Sequence, residues 1–327
     1  DPASSPNDTV SVTTVASPSV PVTTAAAEVA TTVPTSTAAL APRGIEQIAF
    51  TGELGGAGIP GPALTAAAPA ALTAIAVASN GDLYAATDGP LIVRIADGKA
   101  TIWADISSVA TSASGLVVGS DGTLFVSTPA GVVRVSDNGP ELILDAAASG
   151  LSSELGSITL DGGGNLYVAD NGTARIIRRA PDGALTLIAG TGVPASADAA
   201  VTDGEAAATT PIGRIAGLAV TREGALLFGD ATLHRVRAVA RDGSVSMFGG
   251  DVALASVSGL AIDAQGNVAV ADAVSSTVMV IGRDGNLLSE LPVGAAPEFG
   301  LAASASNSWL FADSVAIFEV LGPVVNG

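Results

Sequence analysis

Apolar residues fall along this chain in short strand-length runs, each broken by a glycine at a repeating place. The unit reads Ile75-Ala-Val-Ala-Ser-Asn-Gly81-Asp-Leu-Tyr-Ala-Ala, and it returns as Leu116-Val-Val-Gly-Ser-Asp-Gly122-Thr-Leu-Phe-Val-Ser. Further copies centre on Gly164, Gly224 and Gly266, and a sixth has Asn307 in the glycine position. These turn residues are 41, 42, 60, 42 and 41 positions apart, a period that marks a repeat architecture. Asn is the residue that best replaces Gly at positive φ, so the sixth copy keeps the turn chemistry.

A second turn follows each of the first five: Asp97-Gly98, Asn138-Gly139, Asp182-Gly183, Asp242-Gly243 and Asp284-Gly285. Asp-Gly and Asn-Gly flanked by apolar runs are strong hairpin signals. Each unit therefore predicts four antiparallel strands, a to d, which is a propeller blade. Runs such as Leu166-Tyr-Val-Ala169 and Val268-Ala-Val-Ala271 are apolar on both faces, as expected of a sheet sandwiched between neighbours. In the sixth unit the chain ends at Asn326-Gly327, where the second turn falls, so that blade lacks its outer strand. Ile45–Thr51 aligns with the outer strand of the third unit and supplies it. The predicted fold is all-β: a six-bladed propeller over residues 45–327, closed by its N-terminal strand so that no edge is left open.

Residues 1–44 are dominated by Ser, Thr, Ala, Val and Pro without periodicity, the composition of a flexible stalk or linker. The start at Asp1-Pro2 is that of a processed N-terminus and points to a secreted or extracytoplasmic protein. The uncharged stretch from Leu54 to Gly81 carries Pro60, Pro62 and Pro69, which argues against a membrane-spanning helix. With 31 acidic against 13 basic residues the net charge is −18, which disfavours nucleic acid and anionic lipid as partners. One Lys beside twelve Arg, with abundant Ala and Gly, suggests GC-rich, bacterial coding. There is no Cys, hence no disulfide, thiolate nucleophile or thiolate metal site.

The segment Asn165-Leu-Tyr-Val-Ala-Asp-Asn-Gly-Thr-Ala-Arg-Ile-Ile-Arg-Arg resembles the NHL-repeat pattern, and Gly229-Asp-Ala-Thr-Leu-His-Arg-Val-Arg repeats it. The Ala-Gly-Thr-Gly ending at Gly192, with the loop that follows it to Pro211, has the same look, and Gly58 to Pro69 is a degenerate copy. Blades one and two depart from the pattern, with Thr87 and Thr128 where Asp170, Asp230, Asp272 and Asp313 stand in the others. The resemblance implies the propeller fold and a tendency to bind proteins, peptides or other polymers. Members of the wider group include lyases, lactonases and sensor domains, so it implies no single activity.

Asp170, Asp230, Asp272 and Asp313 recur at the end of strand b. They are expected to hold loop backbone, with Asp170 pairing Arg175 and Asp230 pairing Arg235. His234 is the only histidine; with no Cys beside it, no transition-metal site and no cofactor is expected. Asp198, Asp203 and Glu205 lie in the long insertion Val193–Pro211, whose oxygen ligands match no EF-hand. Asn171 opens the sequon Asn171-Gly-Thr in a b–c loop. Eight basic residues crowd between Arg175 and Arg241, and Arg237 and Arg241 have no Asp at the motif spacing. The candidate binding residues are thus Asn171, His234, Arg237, Arg241, Asp198, Asp203 and Glu205, on one face. The function expected first is non-catalytic extracytoplasmic binding of a protein, peptide or cell-envelope polymer, by a chain that is monomeric outside any assembly. The alternatives are a secreted propeller lyase or hydrolase, and a structural subunit gripped through its tail.

Overall fold

A computed structural model describes residues 45–200, 202–250, 252–304 and 308–320. The stalk expected over residues 1–44, the turn at Asn307 and the terminal Asn326-Gly327 lie outside the described residues. Six antiparallel sheets follow one another as blades. Their innermost strands are Leu72–Val77, Gly115–Val118, Leu155–Leu160, Ile215–Val220, Val257–Ile262 and Leu301–Ala303. Blades one to five then step outward through strands b, c and d in chain order, joined by the glycine turns at one end and by the b–c and d–a connections at the other.

The hydrophobic pattern explains the packing. In blade three, Leu166 and Val168 join the cluster shared with blade two, while Tyr167 and Ala169 join the cluster shared with blade four. Successive side chains of a strand point to opposite faces, and here both faces are interfaces. Strand b is buried at all five positions in blades one, three, four and five. One apolar cluster fills each of the six interfaces between consecutive blades. With 11 aromatic residues in the chain, counted as Trp 2, Tyr 2 and Phe 7, Ala, Val, Leu and Ile do most of this filling.

Ring closure follows the sequence reading. Ile45–Ala49 is the outer strand of blade six, with Ile45 opposite Val320 and Gln47 opposite Phe318. The cluster between blades six and one holds Phe50, Leu310 and Ile317 beside Leu72 and Ile75. One feature went beyond the expected four strands. Gly61–Pro62 adds a fifth strand to the outer edge of blade one, and Glu205–Ala206 does the same on blade four. The connection that leaves each preceding outer strand thus crosses over and latches onto the next blade.

Candidate functional site

The six innermost strands surround an axial channel of about 620 Å³. All six run in the same sense, so their first residues share one rim. That rim, where the d–a connections enter, is polar: Thr73, Ser114, Asn171, Arg214, Ser256 and Glu298 line it. The other end is lined by Val77, Val118, Leu160, Val220, Ile262 and Ala303. Among the described lining residues Arg214 and Glu298 are the only ionisable ones. They head the innermost strands of blades four and six and are both exposed. Neither side chain takes part in a described hydrogen bond or ion pair. β-Bulges interrupt the entry of the innermost strand in blades one, three, four and five. Such bulges re-aim side chains at the mouths of sites.

The recurring aspartates hold this rim in place. Asp230 is fully buried and accepts hydrogen bonds from the backbone N–H of Gly213 (2.9 Å) and Leu233 (3.0 Å). It thereby ties the b–c turn to the segment that delivers Arg214. A Cβ at Gly213 would collide with the Asp230 carboxylate and Thr232, so only glycine lets the segment come this close. Asp272 accepts from the N–H of Ala255 (2.6 Å) and Ser256 (3.0 Å) in the same way, placing Ser256 on the rim. Asp170 takes the hydroxyls of Ser152 and Thr173, and Asp313 takes the N–H of Val315 and Ala316. Asn171 bridges blades: its amide accepts from Ile215 N–H at 2.8 Å and donates to Ile215 C=O at 3.2 Å. Ser258 likewise donates from its hydroxyl to the Pro297 carbonyl at 2.5 Å, next to Glu298.

The arginine pairing differs from the expectation. Asp230 faces Arg237, not Arg235: Arg237 Nη1 lies 3.8 Å from Asp230 Oδ2, and both side chains are buried. Arg237 also lies over the Phe228 ring and donates to the Pro211 carbonyl at 3.2 Å, gripping the segment that carries Arg214 from its other end. Burial raises the Asp230 pKa, outweighing its backbone hydrogen bonds, and burial lowers the Arg237 pKa against the pull of Asp230. Arg237 is therefore no surface docking residue. Arg235 is exposed and reaches Met247, and no described ion pair joins Arg175 to Asp170, whose oxygens are already occupied. The reason is register. Asp230 sits directly opposite Arg235, but its carboxylate is turned into its own loop, where the diagonal Arg237 meets it.

The other candidates do not gather at one place. His234 is exposed at the end of its b–c turn with φ 52°, where Ala174 and Ser276 occupy the matching position with φ 46° and 52°. It lies away from the channel lining. Asp203 accepts the Met247 N–H at 2.8 Å and Glu205 is in the added edge strand, so both stand on the outer edge of blade four, not on the rim. Asp198 is exposed, its pKa lowered by the Ser196 hydroxyl. Arg241 belongs to a c–d turn, at the end opposite the b–c loops. Among the described residues no three His, Cys, Asp or Glu side chains come together as a metal site, and no helix is long and apolar enough to cross a membrane. Glu298 and the Ser/Thr rim went unremarked in the sequence, and Arg214 was only one of the crowded arginines. Their signal is position: each stands at or just before the head of an innermost strand.

No family model matches the chain, and no curated protein matches it. Solved structures do. The chain is similar to a gluconolactonase from Xanthomonas campestris at 15% identity and a TM-score of 0.62, covering 78% of this chain and 86% of that one. It is similar to a streptogramin B lyase at 14% identity and a TM-score of 0.59, covering 86% and 98%. A virginiamycin B lyase from Staphylococcus aureus matches at 14% identity and a TM-score of 0.57, covering 85% and 99%. At such identities the likeness establishes the six-bladed propeller. The named neighbours are enzymes, which overturns the expectation of a non-catalytic binding module and favours the enzymatic alternative.

Proposed function

We propose that this chain is a propeller enzyme, a hydrolase or lyase, that acts on a small carbonyl substrate at the polar rim of its channel. The observation that carries this reading is the pair Arg214 and Glu298, the only ionisable side chains among the described channel lining, both on the same rim and both without an internal partner. In this reading Glu298 is the general base. In the hydrolytic form it takes a proton from the water that attacks the carbonyl carbon, and returns it to the alkoxide that leaves. In the eliminative form it takes the proton next to the carbonyl while the acyl oxygen leaves as a carboxylate. Either way negative charge builds on the carbonyl oxygen, and Arg214 is the donor for it. Asp230, Arg237 and Asp272 are positioning residues, since they set the backbone from which the rim projects. The repeat is of the NHL type in this reading, and the Ser/Thr/Pro-rich, stalk-like composition of residues 1–44 supports an extracytoplasmic setting.

The neighbours name the first substrates to try: gluconolactone and quinupristin, assayed by acid release and by ring opening with the full chain. Replacing Glu298 by Gln is expected to lower kcat by about 100-fold or more with the melting temperature unchanged. Replacing Arg214 by Gln is expected to lower kcat about as far. Turnover that survives both substitutions, or no turnover of either substrate, would sink the proposal.

A further inference from the structure

A second cavity, of about 650 Å³, opens between blades three and four at the glycine-turn end, away from the polar rim. Its volume is in the range of small-molecule sites. Three arginines converge on it, Arg178, Arg222 and Arg241, in a molecule whose net charge is −18. Arg222 and Arg241 donate no described hydrogen bond and form no described ion pair. Arg178 donates to Thr186 Oγ1 at 3.3 Å, but its Nε is buried with no partner. The Arg241 guanidinium lies against the turn glycine Gly224, at φ +82°, in space that a Cβ would share.

Two acids line the same cavity, and both are already engaged. Asp161 accepts from Gly163 N–H, the Asn165 side chain and Tyr167 Oη, and Asp242 accepts from Ser244 through N–H and hydroxyl. Those bonds hold both carboxyls below the ordinary carboxylate range, in Asp161 against a burial effect of opposite sign. The guanidiniums are the groups left with spare donors. Beneath them the lining is apolar: Leu187, Ile188, Val220, Leu226 and Val239.

We propose that this cavity binds an amphiphilic organic anion, its acid group held by Arg178, Arg222 and Arg241 and its apolar body laid on the Leu187–Val239 floor. Three guanidiniums against two carboxylates leave the lining with an excess of positive charge and of N–H donors, and an anion with several acceptor oxygens satisfies both through charge-assisted hydrogen bonds. The apolar floor rules out a fully hydrated inorganic anion as the best fit, because such a ligand leaves the floor uncovered. This site shares Val220 with the far end of the channel, lies away from the polar rim, and does not depend on the chain's being an enzyme.

The test is calorimetric titration of the full chain with decanoate, with decanol as the uncharged control. Decanoate is expected to bind one per chain, more weakly as salt is raised. Decanol is expected to bind at least about tenfold more weakly. Arg241 is exposed, so Arg241→Gln should leave the melting temperature unchanged while weakening decanoate by about tenfold, and Arg222→Gln should act in the same direction. Arg214→Gln, in the channel, should change nothing. Absence of decanoate binding, equal binding of decanol, or decanoate binding that survives Arg241→Gln and Arg222→Gln together would overturn the proposal.

Discussion

At the scale of single residues, the buried pair of Asp230 and Arg237 shows what a motif spacing hides. The sequence pattern places Asp and Arg five positions apart, and the strands do set Asp230 opposite Arg235. Which arginine is desolvated depends on the neighbouring blade and on the incoming 211–213 segment, neither of which is local in sequence. His234 is a similar case: its uniqueness drew attention, but its position is one that each of three blades twists to positive φ. The pair makes an asymmetric prediction. Asp230 keeps two backbone donors if Arg237 is lost. If Asp230 is lost, Arg237 keeps only the Pro211 carbonyl, with Nε and Nη2 buried and unpartnered. Leaving a buried cation without its partner costs about 3–5 kcal/mol. Asp230→Ala, which also strands the N–H groups of Gly213 and Leu233, is therefore expected to cost about 3–5 kcal/mol in urea unfolding, and Arg237→Met, which keeps much of the stem packing on Phe228, clearly less. The opposite ranking would show that the pair is not held chiefly by the needs of its arginine.

At the scale of elements, the glycine hairpins were fully legible because turn chemistry is written in adjacent residues. The glycines at 81, 122, 164, 224 and 266 all have φ between 78° and 89°. The two-residue edge strands Gly61–Pro62 and Glu205–Ala206 were not legible, since two residues carry no period. The turns also carry a pH signature. Asp121 is held below its free value of 3.8 by the N–H and hydroxyl of Thr123, Asp242 by the hydroxyl and N–H of Ser244, and Asp284 by the N–H and side chain of Asn286. A depressed carboxyl contributes stability that is complete above its unfolded pKa and is lost as pH falls through its folded pKa. Asp230, with its raised pKa, works the other way: folded chains hold its proton more tightly, so its contribution declines as pH rises from the unfolded to the folded value. Changing Asp121, Asp242 and Asp284 together to Asn should lower the urea midpoint near pH 7 and leave it close to the parent's near pH 2. An equal loss at both pH values would mean that the carboxyl charge is irrelevant to the turns.

At the scale of the whole molecule, the number of blades was readable from spacing and the closing strand from its likeness to the outer strand of the third unit, whereas the rim as a whole was not. Its members sit about forty to sixty residues apart and are ordinary Ser, Thr, Asn, Arg and Glu, of which only Asn171 is a sequence candidate, and they are brought together only when the ring shuts. Ring closure is thus a condition for the site as well as for the fold. The closing strand Ile45–Ala49 pairs along Ile317–Val320, and Ala49 and Phe50 behind it are fully buried between blades six and one. Removing it exposes the N–H and C=O row of Ile317–Val320 as a raw sheet edge, which is a template for aggregation. It also empties the volume of Phe50, and truncating one buried Phe to Ala alone costs about 3–5 kcal/mol. A chain beginning at Gly55 is therefore expected to melt well below the full chain or to aggregate, and to lose whatever turnover the full chain shows. A chain beginning at Ala41 retains every strand pairing of blade six and should melt with the full chain. The deciding comparison is the pair of melting curves, read with light scattering for aggregation. If the chains beginning at Ala41 and Gly55 melt at the same temperature, blade six holds without its outer strand, and closure by the N-terminal strand is not what keeps the six blades in a ring.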